Sequence, residues 1–66
     1  MNNSCLTERE YCVLKLLVEG KNNKEIAEDL SIEPCTVKAH VTSILKKFKV
    51  KNRLQAIIKV MKEKLI

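Results

Sequence analysis

Apolar residues fall along the chain in four blocks separated by short polar interruptions. In the first block, Val13, Leu14, Leu16, Leu17 and Val18 follow Leu6-Thr7-Glu8-Arg9-Glu10. Thr7 with Glu10 three residues later is a capping-box pattern, and Leu6 stands where it can staple onto the first turns. Gly20 suits the left-handed residue that ends such a helix. Asn22-Asn23 supplies the next cap, and Ile26, Ala27 and Leu30 share one face of a short helix from about Lys24 to Leu30. Pro34 favours the first turn of a helix and disfavours helix in the residue before it. A third helix therefore spans 34–49, with Val37, Val41, Ile44, Leu45 and Phe48 in one stripe. Val50-Lys51-Asn52 breaks the pattern, and a fourth helix runs from about Arg53 to Lys64. The expected architecture is all-α, a four-helix bundle containing a helix-turn-helix. Met1–Cys5 reads as a disordered polar lead-in.

With 66 residues the chain is read as one domain whose core leaves little room for a catalytic cleft. No acid or nucleophile is set beside the single His by sequence, so an enzyme finds no support. Cys5, Cys12 and Cys35 lack metal or disulfide spacing, which points to reduced thiols in a cytosol, with no metal and no cofactor expected. No apolar run approaches 20 residues, and no signal peptide is read.

Charge sharpens the picture. Residues 1–33 carry four basic and seven acidic side chains; residues 34–66 carry nine basic and one acidic, Glu63, a net charge of +8. Such a field attracts a polyanion. A membrane-surface helix would need its lysines opposite one continuous apolar face, whereas these stripes suit a bundle. With one Tyr, one Phe and no Trp, a base-stacking platform for single strands is poorly supplied.

The helices at 24–30 and 34–49, joined by a tight turn, have the spacing of a DNA-binding helix-turn-helix, and Ala27 is small where they would cross. Ser31 occupies a turn position that is often Gly. Opposite the core stripe, the third helix presents Cys35, Ala39, Thr42, Ser43 and Lys46. Lys38 lies on one shoulder, and His40 and Lys47 lie on the other. No acid follows Glu33 on this helix. Small residues allow close approach to base edges, and lysines meet phosphates or guanine acceptors. Arg53 is expected to pair with Glu10 or Glu25.

These runs resemble the LuxR/GerE-type helix-turn-helix family. The matching residues are Leu6-Thr7-x-Arg9-Glu10-x-x-Val13-Leu14, Gly20, Asn23-Lys24-Glu25-Ile26-Ala27, Leu30-x-Ile32, Thr36-Val37-Lys38-x-His40, Ile44, Lys47, Val50-x-Asn52-Arg53 and Gln55-Ala56. They cover roughly residues 6–60, and the similarity lies with the response-regulator branch, including nitrate-response regulators, or with a stand-alone regulator. The resemblance implies sequence-specific double-stranded DNA binding by a bacterial transcription regulator in the cytoplasm, at the nucleoid, with RNA polymerase as a further partner. It implies that the third helix enters the major groove, with Lys38, Ala39, Thr42 and Cys35 facing bases. It assigns phosphates to Asn23, Lys24, Thr36, His40, and Lys46 or Lys47. Thr42 stands where many members carry Lys or Arg, and Glu33 is a weak cap where Ser is common.

The fourth helix carries two apolar sides. Ala56, Ile57 and Val60 suit the core, while Leu54, Ile58, Met61 and Leu65 form a second stripe. In the resembled family this helix pairs two domains on DNA, which implies a homodimer on an operator with two half-sites. A helical protein-interaction module acting as an anti-activator, and a non-specific nucleic-acid-binding domain, are the alternatives.

Overall fold

Among the described residues the chain forms four helices: α1 (Glu8–Val18), α2 (Asn23–Leu30), α3 (Pro34–Phe48) and α4 (Arg53–Glu63). The computed structural model describes residues 6–63. The readings of Met1–Cys5 as disordered and of Lys64 and Leu65 as part of the fourth helix lie outside the described residues.

The N-termini follow capping chemistry. Thr7 and Glu10 form the expected box, each backbone N–H donating to the other side chain at 3.1 Å. Asn22 and Glu25 form a second box at 2.9 and 3.0 Å, so α2 starts one residue earlier than the sequence suggests. Glu33 makes no side-chain cap bond to α3, in keeping with its weak capping, and Pro34 supplies the preset φ instead. At α4, the Asn52 side chain accepts from the Gln55 N–H at 2.9 Å, and Gln55 Oε1 accepts from the Lys51 N–H at 2.9 Å. Lys51-Asn52 therefore caps as well as interrupts.

The first three helices end alike. The residue after each last turn turns left-handed: Gly20 (φ 94°), Ser31 (φ 58°) and Lys49 (φ 59°). The next N–H then reaches back to a carbonyl of the last turn: Lys21 to Leu16 at 3.2 Å, Ile32 to Ala27 at 3.0 Å and Val50 to Leu45 at 3.1 Å. This geometry explains why glycine is apt at position 31: Ser31 bears a Cβ in the left-handed region.

α1 and α2 both pack against α3, and they touch each other as well. Val13, Leu14, Ile26, Val37 and Ile44 are fully buried, and Ala27, also buried, permits close approach of α2 to its neighbours. α4 closes the core with Ala56 and Val60, while Leu6, Leu30, Ile32, Leu45, Phe48 and Ile57 pack around it. Among the described residues no helix is long and apolar enough to cross a membrane.

Candidate nucleic-acid interface

Packing one face of α3 against α1 and α2 leaves the opposite face in solvent. Cys35, Lys38, Ala39, Thr42 and Lys46 are all exposed there, and Lys49 follows at the helix end. At 100° per residue they fall within one arc centred near Thr42. Ala39 and Thr42 keep the middle of the arc low, and Lys38 and Lys46 stand beside it. No acid occurs on α3. Among the described residues, Lys24, Lys38, Lys46, Lys49 and Lys51 have no carboxylate within salt-bridge distance, so their charge faces outward uncompensated.

The flank of α3 behaves differently. Thr36 and His40 are half-buried. Ser43 and Lys47 converge with them on one strip, but both are engaged with α1. Glu10 is the buried charged residue of the core, 5% exposed. Its Oε2 accepts from Ser43 Oγ at 2.6 Å, and its Oε1 accepts from Lys47 Nζ at 2.7 Å and from the Thr7 N–H at 3.1 Å. Burial pushes this carboxyl up, yet the hydrogen bonds from Lys47, Ser43 and Thr7 and the Lys47 charge outweigh it and hold it at about 2.

This network corrects the sequence expectation for Arg53. Glu10 is taken by Lys47, and Arg53 instead donates to Asn23 Oδ1 at 2.6 Å. Glu25 is occupied in its own capping box. Arg53 therefore ties α4 to α2 through a neutral amide rather than a carboxylate. The interaction uses the oxygen of Asn23 and leaves its amide donors available. Lys24, the next residue of α2, is exposed. Lys47, assigned to phosphates by resemblance, has its ammonium committed to Glu10; its neighbour Lys46 has not.

On α4, Leu54, Ile58 and Met61 are 63%, 52% and 60% exposed. They lie opposite the buried Ala56 and Val60, so the two apolar sides of this helix are distinct, as their spacing suggests. Leu65, the fourth residue of the stripe, lies outside the described residues. Cys12 and Cys35 are exposed free thiols. Among the described residues no group of three His, Cys, Asp or Glu is placed to hold a metal ion. An open hollow of about 400 Å³ at the start of α1 is lined by Leu6, Thr7, Glu8, Tyr11 and Cys12.

Comparison with known proteins bears on this architecture. Residues 4–60 match the family described as bacterial regulatory proteins, luxR family. The chain is 54% identical over 52 residues to the transcriptional regulatory protein DesR of Bacillus subtilis strain 168, covering 79% of this chain and 26% of DesR. It is 47% identical over 60 residues to the nitrate/nitrite response regulator protein NarL of Escherichia coli strain K12, covering 91% of this chain and 28% of NarL. It thus spans about a quarter of the length of these relatives. Among solved structures, that of the transcription factor GerE superposes with a TM-score of 0.78 at 35% identity, covering 86% of this chain and 85% of that one. With the family match running from ahead of α1 into α4, and the four helices superposing on a solved relative, this chain belongs to the luxR family of bacterial regulatory proteins.

Proposed function

We propose that this chain binds double-stranded DNA sequence-specifically and controls transcription, with α3 lying in the major groove. The observation that carries this reading is the exposed face of α3: small in the middle, free of acids, and bordered by lysines with no carboxylate partner among the described residues. A helix can approach base edges only where its side chains are short, and it draws a polyanion only where its cations are unneutralised. Lys38, Ala39, Thr42 and Cys35 face bases in this arrangement. Asn23, Lys24, Thr36, His40 and Lys46 hold phosphates, and Lys47 stays with Glu10.

Two copies occupy one operator. The described part of the chain is 28 Å in its longest dimension, shorter than the ~34 Å between successive major-groove faces, so one copy reads one half-site. The exposed Leu54, Ile58 and Met61 give the second copy an apolar surface to meet. A regulator so placed beside a promoter has RNA polymerase as its further partner.

The test is a salt titration of duplex binding. Log affinity should fall linearly with log salt, with a slope of about −0.9 per neutralised phosphate. Lys46→Ala should flatten the slope by about one unit. Lys38→Ala should cost about 1–3 kcal/mol of discrimination between base-pair variants of the half-site. Absent or salt-independent duplex binding overturns the reading; the α4 stripe would then be the surface to probe for a protein partner.

A further inference from the structure

Thr36, His40, Ser43 and Lys47 are spaced four, three and four apart and therefore form one strip along α3. The first two are assigned above to phosphates. The last two are held by Glu10, whose carboxylate spans the ~6 Å rise between them with one oxygen each. A lysine on a phosphate-facing strip is thus withheld from the backbone of the nucleic acid by a carboxylate from another helix.

We propose that Glu10 is a positioning residue for specificity: it keeps Lys47 off the DNA backbone and sets the rotation of α3, so that binding depends more on base contacts and less on charge. This inference rests on the DNA-binding reading above. Its physical basis is a competition for one ammonium. A phosphate offers Lys47 a contact in water-exposed surroundings, where ion pairs contribute little and are screened. Glu10 offers a contact at 2.7 Å to a carboxylate that is 5% exposed. Moving Lys47 to a phosphate leaves a buried carboxylate with only the Ser43 hydroxyl and the Thr7 N–H and no counter-charge, the costlier of the two states. The pair stays closed on DNA, and Lys47 releases no counterion. The two-point grip on Ser43 and Lys47 also resists rotation of α3 about its axis, which would swing Lys38 and Thr42 away from the base edges.

The test compares the wild type with Glu10→Gln, Lys47→Gln, Ser43→Ala and the Glu10→Gln/Lys47→Gln pair. Each binds a random-sequence duplex and a half-site selected from a duplex library by the wild type, across a salt series, with circular dichroism showing each variant folded. The Glu10→Gln change keeps the side chain's shape and, with its one acceptor oxygen, holds the Thr7 N–H while its NH₂ donates to Ser43 Oγ, but it removes the ion pair and frees the ammonium. Glu10→Gln should steepen the salt slope on random duplex by about 0.9 and raise affinity there several-fold, while the ratio of specific to random binding falls. The double variant should return the slope to the wild-type value. Lys47→Gln alone should leave the slope unchanged, an outcome readable even if Glu10→Gln does not fold. Ser43→Ala, which keeps the ion pair, should lower stability without moving the slope.

A slope flattened by about one unit in Lys47→Gln would place Lys47 on a phosphate and overturn the inference. So would a Glu10→Gln slope parallel to wild type, or a steepened slope in Ser43→Ala, which would show that loosening alone recruits cations. A wild type without salt-dependent duplex binding would instead sink the DNA-binding reading itself, so the two failures are told apart.

Discussion

The guanidinium of Arg53, first residue of α4, donates to the side-chain oxygen of Asn23, first residue of α2, at 2.6 Å. The bond joins two helix N-termini that are 30 residues apart in sequence. It also fixes the Asn23 amide by its oxygen, so that the NH₂ group is the part left for another acceptor. A cation at a helix N-terminus opposes the helix dipole, so Arg53 gains from a strong acceptor there. Arg53→Ala and Asn23→Ala should each lower stability by about 1 kcal/mol, the size of an ordinary hydrogen bond, because water screens the charge at these half-exposed positions. A double-mutant cycle by urea unfolding should return a coupling of about 0.5–1.5 kcal/mol. Additive losses would mean that the two side chains do not act on each other in solution.

Acid should release the grip of α1 on α3. The Glu10 carboxyl is raised by burial but lowered further by Lys47, Ser43 and the Thr7 N–H, to about 2 from an ordinary value of 4.5. A carboxyl depressed in the folded state adds stability that is present in full above its unfolded value and lost as pH falls toward its folded one. The contribution, on the order of 2–3 kcal/mol, should therefore disappear between pH 4.5 and about 2. Urea midpoints across that window should fall more steeply for the wild type than for Glu10→Gln. Equal slopes would show that the ion pair adds nothing to folding.

Two helix ends carry backbone strain that glycine would relieve. Ser31 and Lys49 sit at φ 58° and 59°, where a Cβ crowds the following carbonyl. Ser31→Gly and Lys49→Gly should each raise stability by about 0.5–1 kcal/mol, since relief of strain outweighs the extra freedom given to the unfolded chain. Gly20→Ala is the converse. A Cβ there would meet nothing within 4 Å, so any loss in its thermal midpoint reports the strain of φ +94° less the gain from a stiffer unfolded chain. The expected loss is about 1 kcal/mol.

The α4 stripe should be dispensable for folding and needed for pairing. Met61 is 60% exposed, so Met61→Lys should change the stability of the single chain by less than about 0.5 kcal/mol. In a paired α4–α4 contact the same ammonium is buried without a partner, which is costly. Binding to a duplex with one half-site should survive, and cooperative binding to one with two should be lost. Retained cooperativity would move the contact between copies to another face.

Much of this protein is legible from its residues taken locally. Thr7 with Glu10, Asn22, Gly20 and Pro34 mark helix ends through bonds and dihedrals confined to a few neighbouring residues, and those ends appear within a residue of their expected places. The core stripe of α3 and the two sides of α4 follow from a fixed angular step per residue, so Val37, Val41 and Ile44 are buried and Leu54, Ile58 and Met61 are exposed. The face that carries Lys38, Ala39, Thr42 and Lys46 is the remainder once that stripe is turned inward. Gln55 capping Lys51 was equally local and detectable, since Asn followed three residues later by Gln is a capping pattern.

The partners of charged side chains were not legible in this way. Glu10 meets Lys47 across 37 residues and Arg53 meets Asn23 across 30. Several carboxylates stood as candidates for each cation, and sequence carries no distance between them. Only the packing of α1 on α3, and of α4 on α1 and α3, decides which groups come within hydrogen-bonding range. Lys46 and Lys47 show the consequence: adjacent in sequence and alike in chemistry, they are about 100° apart on one helix. That rotation leaves the first in solvent and delivers the second to a buried carboxylate, because side-chain direction becomes a position in space only when the helices are packed.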